Sequence, residues 1–335
     1  MSTGGKPVNG AAGSRILVVR LGAMGDILHT LPAVASLKQA NPGSRLTWVV
    51  EPRWRPLLEG NPYIDRIVEL RRGSLAGLME AARELRSERY DLAVDFQGLL
   101  KSALTAACAR PERIFGYHQS QTRERAAGLF YSNKTIARTV HVVDRHLELA
   151  AAAGAVQPVY AFPLPPGRAE CDLPAGDFVL ASPLAGWGAK QWPLAHYHAL
   201  GTLLREELGI PLILDGPPGS GFDHHSTLAG LIHATRRAAA VVGVDSGPLH
   251  LAAALGKPGV AIFGPTDPAR NGPYGTSMRV LRSDTAATTY KRDREIAASM
   301  QSITPDRVFE ILKELLCSPS HTPTSSPGCA SPAAS

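Results

Sequence analysis

Short apolar runs alternate with longer amphipathic segments along most of the chain, and this alternation constrains the fold more than any other feature. RILVVR (15–20), LTWVVE (46–51) and YDLAVDF (90–96) read as buried strands. Helical stretches at 27–40, about 74–88, 100–109 and within 134–153 follow them, the last ending near Gly154. A strand apolar on both faces needs cover on both faces, which helical crossovers between parallel strands provide.

The Pro-rich stretch FPLPPGRAECDLPAG (162–176) interrupts the pattern and reads as a linker. Beyond it the alternation restarts. FVLASP is a strand, and 194–208 is a helix framed by Pro193 and Gly209. IPLIL is a strand, 227–238 a helix opened by Ser226 or Thr227, and AAVVGV (239–244) a strand. A short helix over 248–255 ends at Gly256, GVAIF (259–263) is a strand, and Thr304 with Pro305 opens a helix over 304–316. The expected class is α/β, with two doubly wound, Rossmann-like domains. They span 15–165 and 166–317, flanked by disordered ends at 1–14 and 318–335.

Two local features run against the regular pattern. Pro32 inside the first helix predicts a kink or a two-piece helix. Between IPLIL and the helix at 227 lies DGPPGSGFDHHS, which has no helical period. Parallel crossovers need about 10–12 residues or more, usually with a helix, so either a βα unit is missing or the sheet is wired unusually.

Composition narrows the class. With 335 residues, 44% apolar and 19% charged, the chain is globular and long enough for two domains. No run approaches the roughly 20 apolar residues of a spanning helix, and the first 14 residues lack a secretory apolar core. Cytosolic residence is expected, at most resting on a membrane. Cys108, Cys171, Cys317 and Cys329 form no CxxC pair, which argues against zinc or a disulfide framework. The net charge of +6 is moderate and no nucleic-acid module accompanies it. Residues 66–145 hold 14 Lys/Arg against 9 Asp/Glu, which points to an anionic ligand or surface.

Ligands of doubly wound sheets bind outside the carboxyl ends of the strands. After the first strand comes Gly22-Ala-Met-Gly25-Asp26, where Asp26 either caps its helix or serves as a general base. Gly22-x-x-Gly25 with Glu51 ending the second strand also allows a dinucleotide fold. The full GxGxxG is absent, however, and Asp26 would put negative charge where the pyrophosphate belongs. In the second half, PLAGWGAKQWP offers Gly186 and Gly188 in a flexible loop and Lys190 as a phosphate-seeking charge. DSGPLHLAAALG places Asp245, Ser246 and Gly247 at a strand-to-helix turn, with His250 one turn on. GPTDP (264–268) adds a third loop on the same edge.

MGDILHTLPA, YDLAVDFQGLLKSA, AKQWP, DSGPLHLAAALG and FGPTDP together resemble glycosyltransferase family 9, the lipopolysaccharide heptosyltransferases. The resemblance spans about residues 15–316, and its N-terminal motifs favour the branch that adds the first heptose. It implies the GT-B fold, with two Rossmann-like domains facing a central cleft. It also implies inverting, metal-independent transfer of L-glycero-D-manno-heptose from ADP-heptose to Kdo of Kdo2-lipid A, with no cofactor and no nucleic-acid partner. The work would be done peripherally at the cytoplasmic face of the inner membrane. Asp26 maps to the general base and Lys190 to the residue that neutralises departing ADP. Gly25, Gly186, Ser226, Asp245, Ser246, Gly247, Pro248 and His250 map to the donor side. Lys101 and Arg123 map to basic positions near the acceptor. Two departures stand out. Ala185 and Gly186 replace a hydroxyl pair, and the ribose-binding glutamate is missing, with Ser220 near its place and Asp223 a conceivable substitute. The alternatives are an impaired ADP-sugar-binding protein of the same fold, or an NAD-dependent oxidoreductase.

Overall fold

The computed structural model describes residues 13–217, 219–289 and 291–317. The expected disorder at 1–14 and 318–335 lies outside these apart from Gly13 and Ser14, as does Cys329. The chain divides into two compact units: Met1–Pro166 with Ala269–Tyr274, and Gly167–Pro268 with Gly275–Ser335.

The first unit runs β1 (Arg15–Val19), α1 (Met24–Ala40), β2 (Arg45–Val50), β3 (Arg66–Glu69), α2 (Leu75–Arg86), β4 (Leu92–Asp95), α3 (Leu100–Cys108), β5 (Arg113–Tyr117), β6 (Asn133–Thr135) and α4 (Val142–Ala152). Its six strands are parallel, in the order β3-β2-β1-β4-β5-β6. The order reverses between β1 and β4, where Val19 pairs with Asp95, so the loops after these two strands flank the switch point.

α1 is one continuous helix across Pro32, so the two-piece expectation is corrected. Every residue from Ile27 to Leu37 is buried, and the helix packs against α4. A proline inside a helix costs about 3 kcal/mol, an amount that burial of a few large apolar side chains offsets. The helix also starts at Met24 rather than residue 27, with Ala23 as its N-cap.

The short segment Ala269–Tyr274 completes this unit from far along the chain. Tyr274 donates from its hydroxyl to Asp144 Oδ1 at 2.6 Å, and its ring lies 4.9 Å from that of His141 and 6.1 Å from that of Phe162. His141 Nε2 meets the Gly272 carbonyl at 3.1 Å.

The second unit runs β7 (Val179–Ser182), α5 (Leu194–Leu208), β8 (Leu212–Gly216), β9 (His224–His225), α6 (Leu228–Arg237), β10 (Ala240–Val244), α7 (Gly247–Ala254) and β11 (Gly259–Phe263). After β11 the chain enters α8 (Pro268–Asn271), which leads into the segment counted with the first unit. It then returns for β12 (Met278–Arg282), α9 (Ala298–Gln301) and α10 (Pro305–Cys317). The strands are again parallel, in the order β12-β11-β10-β7-β8-β9, and the order reverses between β7 and β10.

The odd join is now explained. β9 is a two-residue stub that pairs parallel with β8 through Asp215↔His224 and Gly216↔His225, with no helix among the described residues between them. The third strand of the doubly wound order is kept while its crossover helix is gone. Side chains hold the stub. Asp215 Oδ1 lies 2.9 Å from His224 Nδ1, and Ser182 Oγ donates to Asp215 Oδ2 at 3.3 Å, tying β7, β8 and β9 through one carboxylate. Asp223 Oδ2 accepts from the Leu214 N–H at 3.1 Å, filling a position that a longer neighbouring strand would fill with a carbonyl. That is the contact the structure gives Asp223.

Candidate active site

In the first unit, the loop after β1 enters α1 without a capping side chain, so Asp26 falls in the first helical turn rather than at the cap. Its Oδ2 accepts from the Ala23 N–H at 3.3 Å and lies 2.6 Å from Arg20 Nη2. The carboxylate is half-exposed and the arginine buried. Arg20 also donates through Nη1 to the Phe96 carbonyl at 2.7 Å, which joins this loop to the one after β4. The Leu21 N–H donates to Gln97 Oε1 at 2.8 Å and strengthens the same link.

Behind them sits Asp95, fully buried. It accepts from Tyr131 Oη at 2.7 Å, Ser102 Oγ at 2.8 Å and the backbone N–H groups of Gln97 at 2.8 Å and Gly98 at 3.4 Å. Burial pushes its carboxyl up from the ordinary range, and these donors pull against it. Sequence reasoning passed over Arg20, Asp95 and Gln97. The signal available was an acid inside the apolar run LAVD.

Lys101 opens α3, and Arg123 lies on the loop beside it. Burial and then the charge of Arg72 bring the Lys101 ammonium below the ordinary lysine range, while Glu51 and Glu124 oppose them. Glu51 itself pairs with Arg53 at 3.2 Å and with Arg72. The structure thus brings Lys101 and Arg123 together and adds Arg53 and Arg72 to the same basic cluster. These contacts also count against a dinucleotide site: Glu51 is occupied by two arginines and is not open to a ribose. Gly22 is glycine because a Cβ there would stand 2.7 Å from Trp54 Nε1. Gly25 lies in the first turn of α1.

In the second unit, the loops after β7 and β10 meet. Lys190 Nζ lies 2.6 Å from Asp245 Oδ2 and 3.5 Å from the Asp245 carbonyl, and 4.3 Å from the centroid of the Trp187 ring. His250 Nε2 lies 3.4 Å from Asp245 Oδ1. Burial alone would push the Asp245 carboxyl up. The His250 hydrogen bond and the Lys190 charge more than reverse that and hold it well below the usual carboxylate range.

Ser246 is the N-cap of α7, followed by Gly247 and Pro248 in its first turn, so the helix begins one residue before the expected 248. Ser246 Oγ is buried and has no hydrogen-bond partner among the described residues, and the same holds for Thr266 Oγ1 in the loop after β11. Gly188 lets the chain pass closely: a Cβ there would collide with the Arg294 carbonyl, and Ala189 N–H donates to the Asp293 carbonyl at 3.2 Å. Gly186 is exposed with open space around it.

Ser226 is not brought to this cluster. It follows β9 at the sheet edge, three strand spacings from β10, or about 14 Å, and packs against Gly230. Thr227, not Ser226, caps α6, and Glu170 accepts from both its N–H (2.8 Å) and its hydroxyl (2.7 Å).

The family model for glycosyltransferase family 9 (heptosyltransferase) matches residues 78–220 and 225–300. The chain belongs to glycosyltransferase family 9. The break in the match falls at the missing crossover before β9. Lipopolysaccharide heptosyltransferase 1 of Escherichia coli (strain K12) is 32% identical over 80% of this chain and 93% of its own length. The protein of that name from Pseudomonas aeruginosa is 30% identical over 81% of this chain and 84% of its own. The solved structure of E. coli heptosyltransferase WaaC with ADP superposes with a TM-score of 0.71 at 28% identity, covering 90% of this chain and 99% of that one. Family 9 membership makes this chain a glycosyltransferase of the GT-B class and assigns it to heptose transfer in lipopolysaccharide core assembly. The oxidoreductase alternative falls away.

Proposed function

We propose that this enzyme transfers L-glycero-D-manno-heptose from ADP-heptose to a Kdo hydroxyl of Kdo2-lipid A, with inversion at the anomeric carbon and without a metal or cofactor. The observation that carries the reading is the Asp26 carboxylate, half-exposed beyond the carboxyl end of β1 and held by a buried arginine. A carboxylate held in place beside open solvent suits a general base acting on a sugar hydroxyl.

The donor diphosphate binds at Lys190 and the Ser246-Gly247-Pro248 turn. An ammonium has three donors, and two of those on Lys190 are directed at Asp245, which leaves one for a phosphate oxygen. The unpaired Ser246 hydroxyl and the backbone N–H groups opening α7 supply further donors where ADP charge develops. His250 orients Asp245, and Gly186 gives the backbone room near the donor. Lys101 and Arg123, with Arg53 and Arg72, suit the carboxylates and phosphates of the acceptor. That acceptor is a membrane lipid, so peripheral work at the cytoplasmic face of the inner membrane fits. Among the described residues no helix is long and apolar enough to cross a membrane.

The test is Asp26→Ala with ADP-heptose and Kdo2-lipid A. Loss of turnover with ADP binding intact is expected, and retained turnover would end the general-base role. A second reading, a protein that binds ADP-heptose without transferring it, draws on the β9 stub, where the family's ribose-binding glutamate is missing. ADP-heptose binding by the unaltered chain with no transfer to any Kdo acceptor would favour it.

A further inference from the structure

Arg20 is a charge in an unexpected place. It follows β1 directly, and its side chain is buried at the switch point of the sheet. Its carbonyl accepts from Trp48 Nε1 of β2 at 3.0 Å, and its Nη1 donates to the Phe96 carbonyl beyond β4 at 2.7 Å. β2 thus fixes the Arg20 backbone, and the Phe96 carbonyl beyond β4 fixes its guanidinium. Among the described residues the one carboxylate paired with it is Asp26. A buried guanidinium without a partner is costly, so this pair is built in rather than incidental.

The pairing is one-sided. Both the Arg20 contact and the Ala23 N–H contact fall on Oδ2 of Asp26, and Oδ1 meets no donor among the described residues. A half-exposed aspartate would otherwise sample several rotamers and present either oxygen. We infer that Arg20 is a positioning residue for the transfer: it anchors Oδ2 of Asp26 and thereby presents Oδ1 as the oxygen that takes the acceptor proton. In the step, the acceptor O–H bond breaks and its proton goes to Oδ1. The freed oxygen pair forms the new bond to the anomeric carbon, and the bond to the diphosphate oxygen breaks with its electrons leaving on ADP.

This rests on Asp26 being the base, and the experiment separates the two ideas. Arg20→Gln, Arg20→Lys, Asp26→Ala and the doubles are assayed for kcat, KM for ADP-heptose and ADP affinity. Arg20→Gln is expected to lower kcat about 30-fold with KM and ADP affinity within about 2-fold, and Arg20→Lys to recover most of the rate. In the Asp26→Ala background neither change at Arg20 should cost further rate, because the group it positions is gone. Should Arg20→Gln not fold, the cycle is read from Arg20→Lys with Asp26→Ala. Additive losses, a proportional rise in KM or an unchanged kcat in Arg20→Gln would overturn the inference. Full turnover by Asp26→Ala would overturn the base itself, a result seen without any change at Arg20.

Discussion

The two strand-to-helix turns assigned to the proposed chemistry are built with opposite polarity. In the turn after β1, the cation is the buried partner and the carboxylate stands out, at 8% side-chain exposure for Arg20 against 47% for Asp26. In the turn after β10, the carboxylate is the buried partner, at 6% for Asp245, and the cation that meets it is Lys190 at 15%. The same pair of charges, placed at the same edge of two sheets with the same strand order, presents an anion in one unit and a cation in the other. An exposed anion can accept a proton, and a poised cation can receive a phosphate. The contrast teaches that burying one partner of an ion pair leaves the other as the group a ligand can reach, sharply so for Asp26 and only partly for Lys190.

Removing the less buried partner of each pair should separate the two proposed roles. Asp26→Ala is expected to reduce turnover by about 10²–10⁴-fold while calorimetry with ADP shows unchanged affinity. Lys190→Ala should cost about 10²–10³-fold in turnover and also weaken ADP binding. Equal effects on ADP in the two variants would erase the contrast between the units.

Breaking the buried partner tests architecture instead. Asp245→Ala leaves Lys190 without its counter-charge and should lower stability by about 3–5 kcal/mol in denaturant unfolding. The pH dependence sharpens this further. The folded Asp245 carboxyl lies below its unfolded value, so its contribution is fully present above about pH 4. It is lost as pH falls through the lower folded value. The stability gap between the unaltered chain and Asp245→Asn should therefore stay constant above about pH 4 and shrink below it. The smallest effect is expected at the sheet edge. His224→Ala frees one Asp215 oxygen and loosens the β9 stub, at a cost of about 1–3 kcal/mol by heat unfolding.

Legibility followed the strength of local signals. α5, with Pro193 as its N-cap and Gly209 at φ +67°, and α10, opening at Pro305, stand where their punctuation puts them. β3 (RIVE) and β12 (MRVLR) keep only two or three apolar residues among charged ones, and β6 (NKT) has none, so none of them shows the apolar run that marks a buried strand. The true start of α1 was missed because Ala23 carries no capping group. Lys190, Asp245 and His250 were readable as glycine-flanked polar residues at strand ends, and the structure brings them together. Ser226 was drawn in by resemblance alone, and with the crossover helix absent it stands at the sheet edge. Arg20 was invisible, since an arginine at the end of a strand reads as solvated until its neighbours are known.

The segment Ala269–Tyr274 carries a consequence for the order in which the protein can be made. The first unit needs Tyr274 against Asp144 and His141, yet the chain emerges from the ribosome N-terminus first. When Pro166 appears, the first sheet is whole but its last piece is still 103 residues short of beginning, from 166 to 269. At ~5–20 residues per second, that leaves on the order of 5–20 s in which Tyr160 and Phe162 wait with their aromatic partner unmade. A chaperone that screens nascent chains would meet this enzyme as a nearly finished domain with one open seam, closed only after most of the second has been translated.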